Sequence, residues 1–328
     1  MSRRRLFAGA GRVLRERSFA FAALLAAALF VANLTVQASF VGSGLVSTLA
    51  DLAPFGLVAM ATVPSVLVGG LDLSVGPVLS LTNVMMVAVL LPHGLGGPGI
   101  AIPLLLAMGA LSGALSGALI AYLRVPAVIT GLCALFVVTG IGQHILVNPE
   151  QAPANWTDHL GGKIGPIPGG LVTLIVPLVV WLILRRTPFV RSVLSVGGDA
   201  PAAFSAGVRV GATRVTAYAL GGVIAAIGGV ALTGLIRSAD SSLGLQYTLI
   251  AIAAVSLGGS PIGGGRGGIF GALLGAICIY LIQNLLASLN VSAQWLNVVY
   301  GLVLIGAVIV SAQLVKQRPA SAVAGPVA

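Results

Sequence analysis

The chain has 328 residues, of which 58% are hydrophobic and only 7% charged, and its formal net charge is +10. A soluble domain is about 25% charged, so this composition cannot cover a water-facing surface and excludes a soluble globular protein. The apolar runs are long and continuous rather than alternating over about ten residues, which argues against a barrel and for an all-α polytopic membrane protein.

Residues 1–17 form a basic tail containing Arg3, Arg4, Arg5, Arg12, Arg15 and Arg17. The apolar run that follows exceeds the roughly 7–15-residue core of a signal peptide, so it reads as an uncleaved first span. Ten spans are predicted, at 18–38, 45–66, 76–91, 100–122, 125–147, 170–185, 213–236, 247–259, 267–287 and 294–313. They make a transmembrane domain over 18–314, followed by a tail, 315–328. The third and eighth are short for a full crossing, which takes about 20 residues. With a cytoplasmic N-terminus, ten spans put fifteen of the seventeen Lys and Arg residues inside and leave Lys163 and Arg237 outside. Cytoplasmic loops are the basic ones, so both termini are expected in the cytoplasm. The surplus of positive charge is thereby accounted for, and no basic soluble segment exists to bind nucleic acid. The longest outer loop, about 148–169, reads either as part of a landing surface for a separate outer protein or as a connector.

Three stretches break the apolar pattern. The first is Gly69-Gly70-Leu71-Asp72-Leu73-Ser74-Val75-Gly76. An ionisable residue at membrane depth or its border is functional by default, and a broken helix offers free backbone groups to ligands. Asp72 or Ser74 is placed to cap the following short span. A pathway or gating role for Asp72, Ser74 and Gly76 is the other reading, and the two are compatible.

The second stretch, 185–214, is polar and cytoplasmic in this topology, with Arg185, Arg186, Arg191, Arg209 and Arg214 and the single acid Asp199. It carries a small helix signal: Asp199 as cap, Pro201 in the first turn, Ala202 and Ala203 to propagate, and Gly207 to terminate. A helix of about seven residues is unstable alone in water. It is expected to form against a partner, with Phe204 as apolar anchor, and so to be a docking element.

The third stretch runs from Leu257 through Gly258, Gly259, Ser260, Pro261, Ile262, Gly263, Gly264, Gly265, Arg266 and Gly267 to Gly268. No G-x-x-x-x-G-K-[ST] pattern occurs, so the glycines read as a tight cytoplasmic turn and not as a phosphate cradle. Gly267, Gly271 and Gly275 continue at four-residue spacing, a face suited to close helix approach. No cofactor or metal is expected on this chain. Cys133 and Cys278 lie in apolar segments, and His93, His144 and His159 are scattered near segment ends.

In this order and at these separations, the three stretches resemble the permease subunits of bacterial ABC importers of the ribose type, over about 20–315. That family also includes arabinose, xylose, galactose and autoinducer-2 permeases. Gly70-Leu71-Asp72-Leu73-Ser74-Val75-Gly76 looks like its G-[IL]-D-L-S-V-G. Gly197-Gly198-Asp199, Ala202-Ala203 and Gly207-Val208 are similar to its G-G-N-x-x-A-A-x-x-x-G-[IV]. Ile252-Ala253-Ala254 with Gly258-Gly259-Ser260, Gly263 to Gly267 and Gly271 complete the match.

The resemblance implies a type II ABC importer permease of about ten helices in the bacterial inner membrane. It implies two permease subunits per pathway, two cytoplasmic ATPases that bind ATP and magnesium, and a periplasmic or lipid-anchored substrate-binding protein. The loop 185–214 would dock into the ATPase, and the solute would be small and polar, a monosaccharide. The chain departs from the family at Thr248 and Ile250, where acids are frequent, and at Thr139, where an Arg is frequent. Homodimer and heterodimer both remain open.

Two rival classes suit an apolar chain. An ion-coupled secondary transporter usually places paired ionisable residues in mid-membrane, and these spans are nearly free of charge. An intramembrane enzyme finds no Ser–His–Asp set, H-E-x-x-H or paired carboxylates.

Overall fold

A computed structural model describes residues 20–36 and 45–291, with isolated positions between 295 and 306. Both tails, and all of the tenth expected span except those positions, lie outside the described residues. In chain order the helices are α1 (Ala20–Val36), α2 (Leu45–Leu67), α3 (Val75–Val84), α4 (Pro98–Tyr122), α5 (Ala127–Ile145) and α6 (Asp158–Gly161). They continue as α7 (Gly169–Arg185), α8 (Pro188–Gly198), α9 (Ala200–Ser205), α10 (Val210–Ile236), α11 (Gly244–Leu257) and α12 (Ile269–Ser288). A π-helical stretch, Met85–Leu90, prolongs α3. Four two-residue strands are β1 (Glu150–Gln151), β2 (Lys163–Ile164), β3 (Ile167–Pro168) and β4 (Ser238–Ala239). β1 pairs antiparallel with β4, Glu150 opposite Ala239, and β2 forms a hairpin with β3.

The protein is all-α and polytopic, and the helices among its described residues differ widely in length. Each of the first nine expected spans contains a helix. Five of these are long and apolar enough to cross alone: α2, α4, α5, α10 and α12. α7 and α8 make a sixth only if a pair bent by 84° is taken as one span. α1, α3 and α11 are shorter. At 1.5 Å per residue, the 14 residues of α11 rise about 21 Å, less than the roughly 30 Å of hydrocarbon.

α10 is the axis of the bundle, packed on α2, α3 and α4. Contact with α4 is made through glycine: a Cβ at Gly109, Gly113 or Gly117 would run into the backbone of α10 around Gly222, Tyr218 and Val215. Without a hydrophobic drive between helices in lipid, such small-residue faces supply the contact area. The outer faces of α4, α5 and α7 leave large apolar side chains exposed, among them Leu111, Leu115, Phe136 and Ile183, which suits contact with lipid.

The two ends of the bundle differ in charge. α10 is 27 residues long, about 40 Å, so Arg214 and Arg237 stand at opposite ends. At the Arg237 end the loop after α5 folds back on the bundle. Its Asp158 pairs with Arg237 at 3.8 Å, and Trp156 Nε1 donates to the Gly96 carbonyl at 2.7 Å.

Candidate functional site

The three sequence interruptions meet at the other end. α2 stops at Leu67 and Gly69 turns with φ +79°. Gly265 N donates to the Leu67 carbonyl at 3.1 Å. A Cβ on Gly264 would lie 2.6 Å from Gly69 N, and one on Gly265 would lie 2.9 Å from the Gly198 Cα. A Cβ on Gly197 would overlap the Leu67 carbonyl outright. Backbone thus touches backbone among the end of α2, the end of α8 and the turn before α12, with no side chain between them. Gly264 and Gly265 have φ +85° and +72°, which L side chains rarely adopt. In the rest of that turn, Gly258 abuts Gly271, Gly259 has φ +78°, and Gly267 packs on Ser260, whose Oγ accepts from Gly268 N. Gly263 and Arg266 are exposed.

From this junction, residues 70–74 form a non-helical segment leading into the bundle, and α3 begins beyond them. Asp72 is 1% exposed. Its Oδ1 accepts from Ser74 N at 2.9 Å and from Ser74 Oγ at 2.6 Å, an Asx turn. Ser74 is the N-cap residue but makes no side-chain cap bond. The carboxylate therefore shapes the approach to α3 and does not satisfy the helix's own first amides. α5 crowds this segment, since a Cβ on Gly131 would lie 2.9 Å from Leu73 N. α11 does the same from the other side. Gly76 lies against the Gly244 carbonyl, and Thr248 Oγ1 donates to the Leu73 carbonyl at 3.1 Å. Thr248 is about 14 Å along α11 from Leu257 at the junction end. Asp72 is thus recessed within the bundle, at the start of a half-length helix.

The third part is the bent hairpin of α7, α8 and α9. The polar stretch here is not simply a loop with one small helix. Thr187 Oγ1 accepts from Phe189 N at 3.3 Å and Pro188 occupies the first turn, so α8 starts at once. Val190, Val193 and Val196 are buried, and Arg191 stays exposed. The missed signal was local: a Thr-Pro start followed by valines three residues apart. α8 ends at Gly198. Asp199 Oδ1 then accepts from Ala202 N at 2.9 Å and opens α9, with Pro201 in the first turn. Gly207, φ +86°, ends it. Gly207 N donates to the Phe204 carbonyl at 2.9 Å and Val208 N to the Ala203 carbonyl at 3.0 Å, the two bonds of a Schellman motif. Ala203 is buried, while Phe204 is 72% exposed.

A polar and aromatic patch in the opposite half of the bundle went unnoticed in the sequence. Phe55 on α2 packs against Tyr247 on α11 and Tyr280 on α12, with Asp51 one turn before it on α2. The Phe55 ring lies 5.7 Å from that of Tyr247 and 6.3 Å from that of Tyr280, both edge-to-face. Tyr280 Oη accepts from Asn284 Nδ2 at 3.3 Å and hydrogen-bonds Thr48. The signal was an acid inside an apolar span, which is rarely idle.

Comparison with known proteins places this arrangement. Residues 44–308 match the family described as branched-chain amino acid transport system / permease component. The chain is 30% identical to the ribose import permease protein of Haemophilus influenzae, over 90% of this chain and 93% of that one. It is 34% identical to the ribose import permease protein of Bacillus subtilis, over 81% and 83%. It is 31% identical to the fructose import permease protein of Rhizobium meliloti, over 79% and 75%. No solved structure matches it.

Proposed function

The chain belongs to the permease-component family that its residues 44–308 match, and on that premise we propose how it works and what it carries. It is the membrane-spanning subunit of an ATP-binding cassette importer. The solute is a monosaccharide, as the names of its ribose and fructose relatives suggest. The membrane is the bacterial inner membrane, crossed ten times with both termini in the cytoplasm. Two cytoplasmic ATPases, which hold ATP and magnesium, power the cycle, and a periplasmic or lipid-anchored binding protein delivers the solute. A second permease, the same chain or a related one, completes the pathway.

The observation that carries this reading is α9. A six-residue helix capped at both ends keeps a phenylalanine 72% exposed at the basic end of the bundle. Such a helix is too short to persist on its own, and a solvent-facing aromatic knob on it suits a groove in the ATPase. The residues Gly197, Gly198, Asp199, Ala202, Ala203, Phe204 and Gly207 are assigned to coupling. Gly197 links coupling to the pathway. It touches Leu67 and Gly265, so displacement of α9 strains the junction with the turn Gly258 to Gly267, from which the chain runs on through Gly69 to Asp72, Ser74 and Gly76.

Uptake by cells expressing this chain with its ATPase and binding protein tests the assignment. Labelled ribose or fructose should accumulate only when the ATPase is active, and leucine should not. Leucine uptake in place of sugar would move the solute to the class in the family's description. Accumulation without the ATPase, driven by an ion gradient, would overturn the importer assignment. A cysteine at Arg191 should resist labelling from outside intact cells.

A further inference from the structure

Between the α4–α5 turn, the start of α10 and the first interruption lies a pocket of about 270 Å³. Its wall includes Gly69, Gly70, Arg124, Pro126, Arg214 and Tyr218. Neither arginine has a carboxylate partner, the ion pair among the described residues being Asp158 with Arg237. Tyr218 is 1% exposed, yet its hydroxyl has no hydrogen-bond partner. Asp72 has its Oδ1 engaged by Ser74 and does not bond that hydroxyl. A buried hydroxyl left unpaired costs free energy comparable to a lost hydrogen bond. The space beside it exists because residue 70 is glycine: a Cβ there would collide with the hydroxyl. Arg124 adds a backbone observation. It has φ +55°, a conformation glycine adopts freely and arginine at a cost.

We propose that this pocket binds a phosphate group, received by the guanidinium groups of Arg124 and Arg214 and by the hydroxyl of Tyr218. Guanidinium forks match phosphate oxygens in bidentate geometry, and a phenol O–H donates to the remaining oxygen. The surroundings point to a phospholipid as the source of that phosphate. Tyr122, 66% exposed, and Leu123, Val128 and Ile129, also exposed, flank the mouth on the lipid-facing side of α4 and α5. An exposed tyrosine beside an arginine at the end of an apolar helix marks headgroup level. Basic pockets between membrane helices on the cytoplasmic side are suited to anionic headgroups. No residue of α9 lines the site, and it does not depend on which solute is carried. Its occupant would brace the start of α10 against Gly69 and Gly70.

Native mass spectrometry and thermal-shift titration of the purified full chain in detergent test this. The probes are short-chain phosphatidylglycerol, phosphatidylcholine of the same chain length, and inorganic phosphate. Phosphatidylglycerol should remain bound and raise the unfolding temperature, and phosphatidylcholine should do so far less. The double variant Arg124→Gln/Arg214→Gln should weaken phosphatidylglycerol binding by at least about tenfold, and Tyr218→Phe by up to about tenfold. Arg185→Gln/Arg186→Gln, an equal charge loss at exposed positions on the same end, should leave it unchanged. Equal stabilisation by inorganic phosphate at equal concentration, lost in the same variants, would support the phosphate site and overturn the lipid as its source. Unchanged phosphatidylglycerol binding in Arg124→Gln/Arg214→Gln, or an equal loss in Arg185→Gln/Arg186→Gln, would overturn the site itself.

Discussion

The glycine junction and α9 lie a few residues apart in the chain and are specified in opposite ways. α9 is local. Asp199, Pro201 and Gly207 close it with bonds spanning at most five residues. The junction is non-local. Gly69, Gly197 and Gly264 come from three separate stretches, and a Cβ on Gly197 or Gly264 would collide with the backbone of another stretch. The contrast shows how one region can be stiff and its neighbour adaptable. Backbone packed on backbone has no side chain to yield, whereas a single capped turn can form or melt at little cost. A docking helix attached directly to a rigid junction is a sound way to pass a partner's movement into the bundle.

Substitutions separate the two regimes. The largest effect is expected at Gly197→Val, where the new side chain meets the Leu67 carbonyl and Gly265 N. Backbone cannot move aside as a side chain would, so the cost should be about 3 kcal/mol or more. Reduced yield and a lowered unfolding temperature of the purified chain would register it, and wild-type stability would refute the tight junction. Gly207→Val comes next. No atom lies within 4 Å of a Cβ there, so only the φ of +86° resists it. The strain should be about 1–3 kcal/mol, confined to α9, giving a permease that inserts normally and transports poorly. Unchanged transport at equal expression would speak against a helix ended by that residue.

Asp199→Ala removes the bond to Ala202 N and should cost about 1 kcal/mol of helix stability, with Asp199→Asn close to neutral. Hydrogen exchange of the α9 amides, compared between the two variants, reads that difference. If the two behave alike, Asp199 is not a cap. The smallest stability effect is expected at Asp72→Asn. An amide oxygen can accept from Ser74 N and Oγ as the carboxylate does, so the fold should change by less than about 1 kcal/mol. Transport by that variant is the informative number. A normal rate leaves Asp72 only its turn, and a loss without unfolding assigns its charge to the pathway.

The same contrast governs what could be read from the sequence. α9 was legible from Asp199, Pro201 and Gly207 because caps act within one turn. Long apolar helices were legible from composition. The glycine stretches were visible, but nothing local says that Gly264 meets Gly69 or that Gly197 fills the third side, since glycine carries no complementary group to point at its partner. α8 escaped notice because its arginine and serines mask three valines spaced for burial. The capping role expected of Asp72 took another form because the residue stands two positions before the N-cap Ser74, and its carboxylate accepts from Ser74 N and Oγ ahead of the helix. The glycines of α4 passed as ordinary residues of an apolar helix, although their four-residue spacing is the contact with α10.

The claim on which the account most depends is that α9 couples this chain to an ATPase through Phe204. The direct test is Phe204→Ala, assayed for membrane insertion, ATPase co-purification and ATP-dependent solute uptake at matched expression. The side chain is 72% exposed, so its loss should not disturb the fold. Truncating an aromatic anchor at an interface costs about 2 kcal/mol or more. The account predicts a normally inserted permease that retains little ATPase and takes up solute at least about tenfold more slowly. Wild-type uptake and full ATPase retention by the Phe204→Ala permease would contradict it.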